Sequence, residues 1–361
     1  MEALPSDQAD ELRSDLDLIT EDITQGVSPG RVAKATAAWK QWERFCSTHG
    51  WDTGLSTIED PVPILLIFGR RWRDGRSSPS KKSTVARTAE DAIRLAGQAV
   101  SMLGADDPRL NKFGRLDWRL GRALRSWKIV EAPSQRKRPV PSTVLQKLTT
   151  ITRNMGTPQQ IATTDMMWLG YFFLLRPSKY LCTTTKRHFT LADVILHVGD
   201  REFRGHTIPY HTLQHVTSVG FEFRLQKNGV SGDIITMGAT TDPYVSPVKC
   251  AVRRLQHIRL HTSCQKTPLH FFWDQQGTQR RITDRILTAF LRLGAAQLNL
   301  EVACTAGALR CTGATALLKS GISLEFIKLI GRWRSDEVFR YLHLQESQLT
   351  ADLAQQIIGH R

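Results

Sequence analysis

Apolar side chains recur at helical spacing through the first third of the chain. Four runs show the period of three to four residues that one face of an amphipathic helix requires. Because each run leaves an apolar face to be covered, we expect a small bundle of four or five helices between about residues 30 and 130. The runs are Ala38, Trp39, Trp42 and Phe45; Ile64, Leu65, Ile67 and Phe68; Ile93, Ala96, Val100 and Leu103; and Leu116, Leu120, Leu124 and Trp127.

The pattern changes beyond residue 142. Apolar and polar residues alternate at points between about 190 and 240, as in Phe221-Glu-Phe223, and this period of two predicts strands. Helical runs return from about residue 246. The predicted fold class is therefore mainly α with a small β-sheet, in which an N-terminal helical bundle precedes a larger mixed α+β domain.

The segment between these regions, Ala132 to Pro141, contains three prolines and three consecutive basic residues. Prolines at these positions prevent a continuous helix, so we expect an extended, positively charged linker. The predicted organisation is an acidic leader at 1–27 that we expect to be mobile or to form a docking helix, a helical domain at 28–131, the linker at 132–141, a second domain at 142–350 and a tail at 351–361.

Charge is divided unevenly along the chain. Residues 1–27 carry eight acidic side chains and one basic side chain, a net of −7, so the formal total of +15 leaves +22 on residues 28–361. A surplus of this size favours binding to a polyanion, because bound cationic side chains release the counterions that surround it. A nucleic acid is the partner that we expect, and a basic protein of another kind is the alternative.

Composition argues against several other classes of protein. The six cysteines are scattered without a Cys-x-x-Cys pair, which argues against a zinc site or a disulfide framework. The chain has no run of 18 apolar residues and no basic-then-apolar leader, so we predict a soluble protein that is not secreted and has no membrane partner. We expect no metal, no other cofactor and no small-molecule substrate.

Basic residues between positions 70 and 87 are the first candidates for contacts with nucleic-acid phosphates. Serines and a glycine punctuate this run, as expected of a loop that follows a nucleic-acid backbone, and a solvated charged loop is the alternative. The candidates are Arg70, Arg71, Arg73, Arg76, Lys81, Lys82 and Arg87. In the linker, Arg136, Lys137 and Arg138 could contact phosphates, act as a nuclear-localisation signal, or do neither.

The C-terminal region combines an arginine, an indole and a phenol. Arg310, Trp333 and Tyr341 lie within 32 positions and are separated by short predicted helices, so their side chains can turn toward one point. A guanidinium binds two oxygens of a phosphate in a planar fork. A phenol is a possible nucleophile that needs cationic help, because its reference pKa is about 10. This combination suits attack on a phosphodiester.

These residues carry a resemblance to a known family. Tyrosine recombinases, the phage-integrase-like superfamily, have C-terminal motifs similar to Leu309-Arg310-Cys-Thr-Gly-Ala-Thr-Ala-Leu-Leu, Gly321, Gly331-Arg-Trp333 and Tyr341-Leu-His343. The Gly-Arg-Trp variant resembles eukaryotic mobile-element members of the Crypton type. The resemblance implies a core-binding domain and a catalytic domain of the DNA breaking-rejoining type, which clamp duplex DNA, assemble as a tetramer and act in DNA integration and recombination. It also implies a nuclear location in a eukaryotic host, and the cytoplasm or nucleoid otherwise.

The resemblance further implies roles for five residues, without a metal or cofactor. Tyr341 would be the nucleophile that forms a 3′-phosphotyrosine, and Arg176 and Arg310 would bind the scissile phosphate. Lys227, at the tip of a predicted hairpin, would protonate the departing 5′-oxygen. Trp333 would donate a hydrogen bond from its indole nitrogen to a phosphoryl oxygen.

The residues alone leave other roles open. Arg176 follows an apolar helical run and can cap the end of that helix or reach to solvent. Arg310 can form a structural ion pair, and Trp333 can belong to a core. Most lysines at hairpin tips, as Lys227 is predicted to be, are solvated, and Arg224 lies close enough in sequence to take the same role.

Two positions depart from the family pattern. Gly307 stands three residues before Arg310, where the family usually has histidine, and Lys179 stands where it usually has an acidic residue. Loss of an acid–base residue typically costs about 10²- to 10⁴-fold in rate. We therefore expect weak or absent strand cleavage. Two functions stay open: a recombinase that cuts through Tyr341, and a cleavage-deficient or domesticated relative that binds DNA without cutting.

Overall fold

The chain folds into two compact units. The computed structural model describes residues 12–15, 17–19, 21–22, 26–132, 138–184, 188–224, 232–301, 304–334 and 336–340. The units are Met1–Ser134 and Gln135–Arg361. The division between them falls within the segment that the sequence marks as a linker.

The first unit is a helical bundle. Its helices are α1 (Pro29–Thr48), α2 (Val62–Arg73), α3 (Ala86–Met102) and α4 (Trp118–Ile129). Their apolar faces meet in one core around the fully buried side chains of Trp42, Leu65 and Phe68. The Trp42 and Phe68 rings meet edge to face with 5.1 Å between centroids, which is a favourable arrangement for two aromatic side chains. The helical bundle predicted from the apolar periodicity is confirmed.

Three residues of the predicted apolar faces lie in solvent instead. Ile67 is 46% exposed, Leu116 is 47% exposed and Leu103 is 70% exposed. Leu103 follows the last residue of α3 and Leu116 precedes the first residue of α4, so neither belongs to a helix. Ile67 lies on α2 but off the stripe that this helix buries. The assignment of these three residues to apolar faces was wrong, because periodicity does not mark where a helix ends or how wide its buried stripe is.

The second unit combines helices with strands. Its central helix is almost entirely enclosed, because every residue from Ala162 to Gly170 is buried. A capping box begins this helix: the Thr157 hydroxyl accepts from the Gln160 amide, and the Gln160 side chain accepts from the Thr157 amide. The helices are α5 (Ser142–Met155), α6 (Pro158–Phe172), α7 (Pro177–Tyr180), α8 (Pro247–Arg259), α9 (Asp284–Ala296), α10 (Ala308–Lys319) and α11 (Leu324–Gly331).

A small antiparallel sheet packs against these helices. Its strands run in the order β2-β1-β3-β4, and β3 turns Val219, Phe221 and Phe223 into the core. The fold class predicted from the sequence, mainly α with a small β-sheet, is confirmed. The strands are β1 (Val194–Val198), β2 (Arg201–Arg204), β3 (Ser218–Phe223) and β4 (Asp233–Gly238).

A second hairpin lies where the sequence predicted helices alone. Strand β5 (Phe271–Trp273) pairs antiparallel with β6 (Gln279–Arg281), between α8 and α9. All three residues of β6 are polar and exposed. They therefore offer no alternation of apolar and polar positions from which a strand could be predicted.

The residues that lead into the second unit are held in place by burial and by a hydrogen bond. Val140 is 1% exposed and belongs to the main core of that unit. Its backbone amide donates to the Thr312 hydroxyl oxygen on α10 at 2.8 Å. The last residues before α5 are therefore packed against the helix that carries Arg310.

Candidate functional site

The candidate site is built where the end of α6 meets α10. Gly313 allows the two backbones to touch, because a Cβ atom at this position would lie 2.3 Å from the Tyr171 carbonyl oxygen and 2.5 Å from a methyl carbon of Leu174. Only glycine fits at such a separation without a shift of the backbone. The close approach that the small residues of this helix predicted is confirmed at Gly313. It brings Arg310, in the first turn of α10, beside the turn that follows α6.

The Arg310 side chain is buried and turned inward, with 2% of its surface exposed. Its Nη1 donates to the Leu174 carbonyl oxygen at 2.7 Å, and its Nη2 donates to the Gly331 carbonyl oxygen at 2.5 Å. The guanidinium therefore ties the turn after α6 to the end of α11. A guanidinium carries five N–H donors, so a structural tie and contact with an anion are compatible roles.

The Trp333 ring lies against the Arg310 guanidinium. The Arg310 Cζ atom is 4.1 Å from the ring centroid, the geometry of a cation–π interaction. Trp333 also packs with Leu174 and Val338 in a small apolar cluster. The ring is thus both part of a core and a support for Arg310. The predicted hydrogen bond from its indole nitrogen to a phosphoryl oxygen stays a prediction. A Cβ atom at Gly331 would lie 1.8 Å from a carbon of the Trp333 ring, which explains the glycine there.

Sequence reasoning missed Arg332, which stands between the glycine and the tryptophan of the same motif. Its Cζ atom lies 3.7 Å from the centroid of the Phe223 ring. Its Nη2 donates to the carbonyl oxygens of Phe173 at 3.2 Å and Leu174 at 3.3 Å. The Leu174 oxygen accepts from Arg310 as well, so two guanidinium groups meet at one carbonyl. The available signal was a basic residue inside a motif of a chain with a large basic surplus.

Positive charge accumulates at this point. Burial lowers the pKa of Arg332 well below its ordinary value, the like charges of Arg310 and Arg176 lower that pKa further, and Asp233 acts on it in the opposite direction. Arg176 directly precedes α7 and is half-buried. The structure therefore brings the two predicted arginines into electrostatic range of a third. Like charges gathered at one point in this way are typical of a site that binds an anion.

Lys179 adds a further cation on the same side. Its Nζ lies 5.4 Å from the centroid of the Phe189 ring and 5.7 Å from that of Phe223. Lys179 and Arg332 therefore both lie near the Phe223 ring. Lysine at position 179 adds positive charge near the candidate site.

Two residues of the site have a left-handed backbone. Leu174 has a φ of 48° and Arg332 a φ of 56°. For residues with a side chain, conformations of this kind cost on the order of 1–3 kcal/mol each, and they concentrate at functional sites. At Leu174 this turn accompanies a carbonyl oxygen shared by two arginines, and at Arg332 it ends α11.

Lys227 lies in the connection between β3 and β4, outside the described residues. Its competitor Arg224 is engaged elsewhere: its Nε lies 3.3 Å from Asp193 Oδ1, and its Nη2 donates to Glu222 Oε2 at 3.1 Å. These ion pairs hold Arg224 at the base of the connection. Lys227 therefore stays the candidate for the proton donor.

Tyr341 also lies outside the described residues, directly after the 3₁₀-helix Asp336–Arg340. Val338 in this short helix is fully buried in the cluster that contains Trp333. Lys328 Nζ pairs with Asp336 Oδ1 at 2.8 Å and fixes the same segment to α11. The chain is therefore anchored beside Trp333 three residues before Tyr341.

The predicted phosphate contacts of the first unit fall into two groups. Some are bound locally: Arg71 Nη1 lies 3.1 Å from His49 Nε2, Arg76 holds Asp74 through Nε at 3.0 Å and Nη2 at 2.6 Å, and Arg73 lies over an indole ring at 5.4 Å. Arg70, Lys82 and Arg87 are exposed. Lys81 is exposed as well, and its Nζ donates to the Arg76 carbonyl oxygen at 3.2 Å.

A basic cavity of about 160 Å³ gathers part of this group. It is lined by Arg71, Arg76 and Lys81 together with Arg44 and His49, which sequence reasoning missed. Such a concave, positively charged surface favours an anion. Of the three basic linker residues, Arg138 is exposed, and Arg136 and Lys137 lie outside the described residues.

Neither a metal-binding cluster nor a membrane-spanning helix is found in the part of the chain that the structure describes. Within it, no three histidine, cysteine, aspartate or glutamate side chains are grouped so that they could hold a metal ion. Among the same residues, no helix is both long and apolar enough to cross a membrane.

The chain has structural rather than sequence similarity to known proteins. No protein-family model matches it, and no curated protein matches it in sequence. XerA recombinase aligns over 94% of this chain and 95% of its own, at 14% identity and a TM-score of 0.39. XerH site-specific recombinase bound to its difH substrate aligns over 82% and 69%, at 12% identity and a TM-score of 0.44. The Tn1549 transposon integrase in complex with circular intermediate DNA aligns over 81% and 84%, at 14% identity and a TM-score of 0.41. At these values the similarity assigns no activity.

Proposed function

We propose that the chain is a DNA-binding tyrosine recombinase or integrase, in which Arg176 and Arg310 hold one phosphodiester for attack by Tyr341. The observation that carries the proposal is the convergence of separate segments at one point. Arg310 stacks on Trp333, and both Arg310 and Arg176 act electrostatically on the arginine beside it. Attack on a phosphodiester requires cationic side chains around the phosphate, and the C-terminal motifs contain the residues that would supply them.

The proposed reaction exchanges one phosphodiester for another. Tyr341 gives its proton to water as its oxygen attacks phosphorus. The bond to the 5′-oxygen breaks, and a 3′-phosphotyrosine forms while Lys227 gives a proton to the departing oxygen. The arginines stabilise the negative charge that grows on the nonbridging oxygens, where loss of one preorganised donor typically costs about 10²- to 10³-fold. The covalent link conserves the energy of the diester, so rejoining needs no nucleotide.

Gly307 sets the expected rate of cleavage. It occupies the position before α10 and has no side chain that could accept the proton of Tyr341 or donate to the phosphate. We expect cleavage to be slower by about 10²- to 10⁴-fold than with a histidine at this position. The variant Gly307→His should therefore form more covalent complex than the unchanged protein.

The second candidate function is DNA binding without cutting. Gly307 favours it, and so does the state of Arg310, whose two terminal nitrogens both donate to backbone carbonyl oxygens. A phosphate would have to share the guanidinium with these two carbonyl oxygens. In this alternative the basic surfaces bind the DNA backbone and the chemical step is lost.

A covalent-trapping experiment separates the two functions. The protein is incubated with nicked suicide duplexes whose central sequence is randomised, and the mixture is denatured in sodium dodecyl sulfate. A cutting enzyme leaves a resistant protein–DNA adduct that disappears in Tyr341→Phe and increases in Gly307→His. If the unchanged protein and Gly307→His both bind the duplex but neither forms an adduct, the second function is favoured. Absence of both binding and adduct would overturn the proposal.

The proposal extends to assembly and location. The partner is double-stranded DNA, on which several copies of the chain associate, and a tetramer is the expected assembly. In a eukaryotic host the protein would act in the nucleus on the DNA of a mobile element. Sedimentation of the protein with a cognate duplex tests the assembly, since a single copy per duplex would contradict it.

A further inference from the structure

Arg332 has no assigned role in the reaction proposed above, yet one of its donors lacks an acceptor among the described residues. Its Nη1 nitrogen is buried and makes no hydrogen bond to any described residue. The other terminal nitrogen donates to Phe173 and shares the Leu174 oxygen with Arg310. A buried donor that finds no acceptor typically costs about 1–3 kcal/mol, and more when the group is charged. An anion beside Arg332 would remove this cost.

The backbone conformation at position 332 does not favour arginine. Arg332 ends α11 with a φ of 56°, in the left-handed region. Glycine adopts this conformation without strain, and asparagine adopts it more easily than a long side chain does. A residue that holds a left-handed backbone despite a long side chain is often part of a functional site.

The surroundings of Arg332 are also those of an anion site. Its guanidinium covers the face of Phe223, while Arg310 and Arg176 lie within electrostatic range and Lys179 approaches the same ring. Several cations gathered at one half-buried place repel one another. The repulsion is relieved when a negatively charged group binds among them.

We propose that Arg332 is a third phosphate-binding residue, which donates through Nη1 to a nonbridging oxygen of the phosphodiester held by Arg176 and Arg310. This inference rests on the proposed function and deepens it. Gly307 leaves the site without the histidine that would donate to the phosphate. Arg332 restores a donor but not a proton acceptor, so phosphate binding is kept while proton transfer from Tyr341 stays slow.

The test compares Arg332→Gly with Arg334→Gly in the full chain. Arg334 is an exposed arginine two residues further on, so each variant loses one positive charge from the same segment. The probe is a short duplex of arbitrary sequence, with binding measured at several salt concentrations. Arg332→Gly should weaken binding about tenfold or more. It should also reduce the slope of log K against log salt by about one, whereas Arg334→Gly should leave that slope close to that of the unchanged protein.

The outcomes distinguish this inference from the function on which it rests. Equal slopes for the two variants would overturn the role of Arg332 and leave the proposed function standing. Failure of the unchanged protein to bind the duplex would overturn both. Thermal unfolding checks the fold of Arg332→Gly, which should melt no lower than the unchanged protein. Arg332→Asn, a second variant that tolerates the left-handed backbone, should show the same loss of slope.

Discussion

His270 is a residue that the fold keeps neutral. It is 1% exposed, and its Nδ1 nitrogen is buried without a hydrogen-bond partner among the described residues. Burial, followed by the charges of His188, Arg281 and Arg254, lowers the pKa of His270 to about 3. The His188 ring meets it edge to face with 4.7 Å between centroids. Protonation of His270 would therefore place a charge inside the core of the second unit.

The acid stability of the second unit should depend on His270. Its folded pKa lies below its ordinary value of 6.5, so the unfolded chain binds the proton more readily. The stabilisation is present above about pH 6.5 and is lost progressively as the pH falls toward the folded pKa. The urea midpoint should therefore fall between about pH 6.5 and pH 4.5, and should fall less in His270→Leu. Parallel pH profiles for the two proteins would contradict this account.

The planar fork of Arg310 should matter as much as its charge. Arg310→Lys keeps the charge, but an ammonium cannot hold the Leu174 and Gly331 carbonyls together as the fork does. We expect a lower unfolding midpoint and a decrease in covalent adduct of at least about 10²-fold. Arg334→Lys is the matched control, since this arginine is exposed and lies outside the site. Adduct formation at the original level would contradict the role of Arg310.

At the scale of elements, the site depends on how closely α10 approaches the end of α6. The two helices meet at Gly313 with no room for a side chain, and Arg310 stands one turn earlier on the same helix. The contact also places the Leu174 carbonyl within reach of Arg310. Packing between two helices therefore decides the geometry of the arginines.

A methyl group at Gly313 should disturb both stability and the site. In Gly313→Ala the new Cβ atom would meet the Tyr171 carbonyl oxygen at 2.3 Å, so the helices must separate. Overpacking of this kind costs about 1–3 kcal/mol, which should lower the urea midpoint of the second unit. The control is Gly30→Ala on α1, where a Cβ atom would meet nothing within 4 Å. An unchanged urea midpoint in Gly313→Ala would show that α10 can move away from α6 without loss of stability.

The sequence predicts these elements where local spacing decides the structure. Helical periodicity was sufficient for α1, and small residues on α10 were sufficient to predict its close packing at Gly313. Arg332 was missed because its direction follows from the left-handed turn that ends α11, which no local pattern specifies. The contact of Arg71 with His49 was equally beyond prediction, since it joins α2 to the end of α1 through the tertiary fold.

At the scale of the whole molecule, the uneven distribution of charge should affect binding to DNA. The net of −7 on residues 1–27 opposes the +22 carried by the rest of the chain. Charges of opposite sign on one chain reduce its attraction to a polyanion, and salt weakens this effect because it screens exposed charges beyond about 10 Å at 0.1 M. The acidic leader should therefore moderate binding to DNA.

Removal of residues 1–27 should strengthen binding to a duplex of arbitrary sequence several-fold at low salt. The gain should shrink as salt is added, because counterions then screen the difference in charge. A chain with the leader residues in scrambled order keeps the same charge and should bind as the unchanged protein does. Weaker binding after the deletion, or a gain independent of salt, would contradict a purely electrostatic effect.

The hydrogen bond from Val140 to Thr312 couples the peptide that precedes the second unit to α10. Thr312 lies two residues after Arg310 on α10, so a pull on the incoming peptide is delivered to the helix that carries this arginine. A fragment trimmed to begin at Ser142 would lose that tether and leave a hole beside the same helix. The DNA binding and adduct formation measured with such a fragment would then be lower than those of the intact chain.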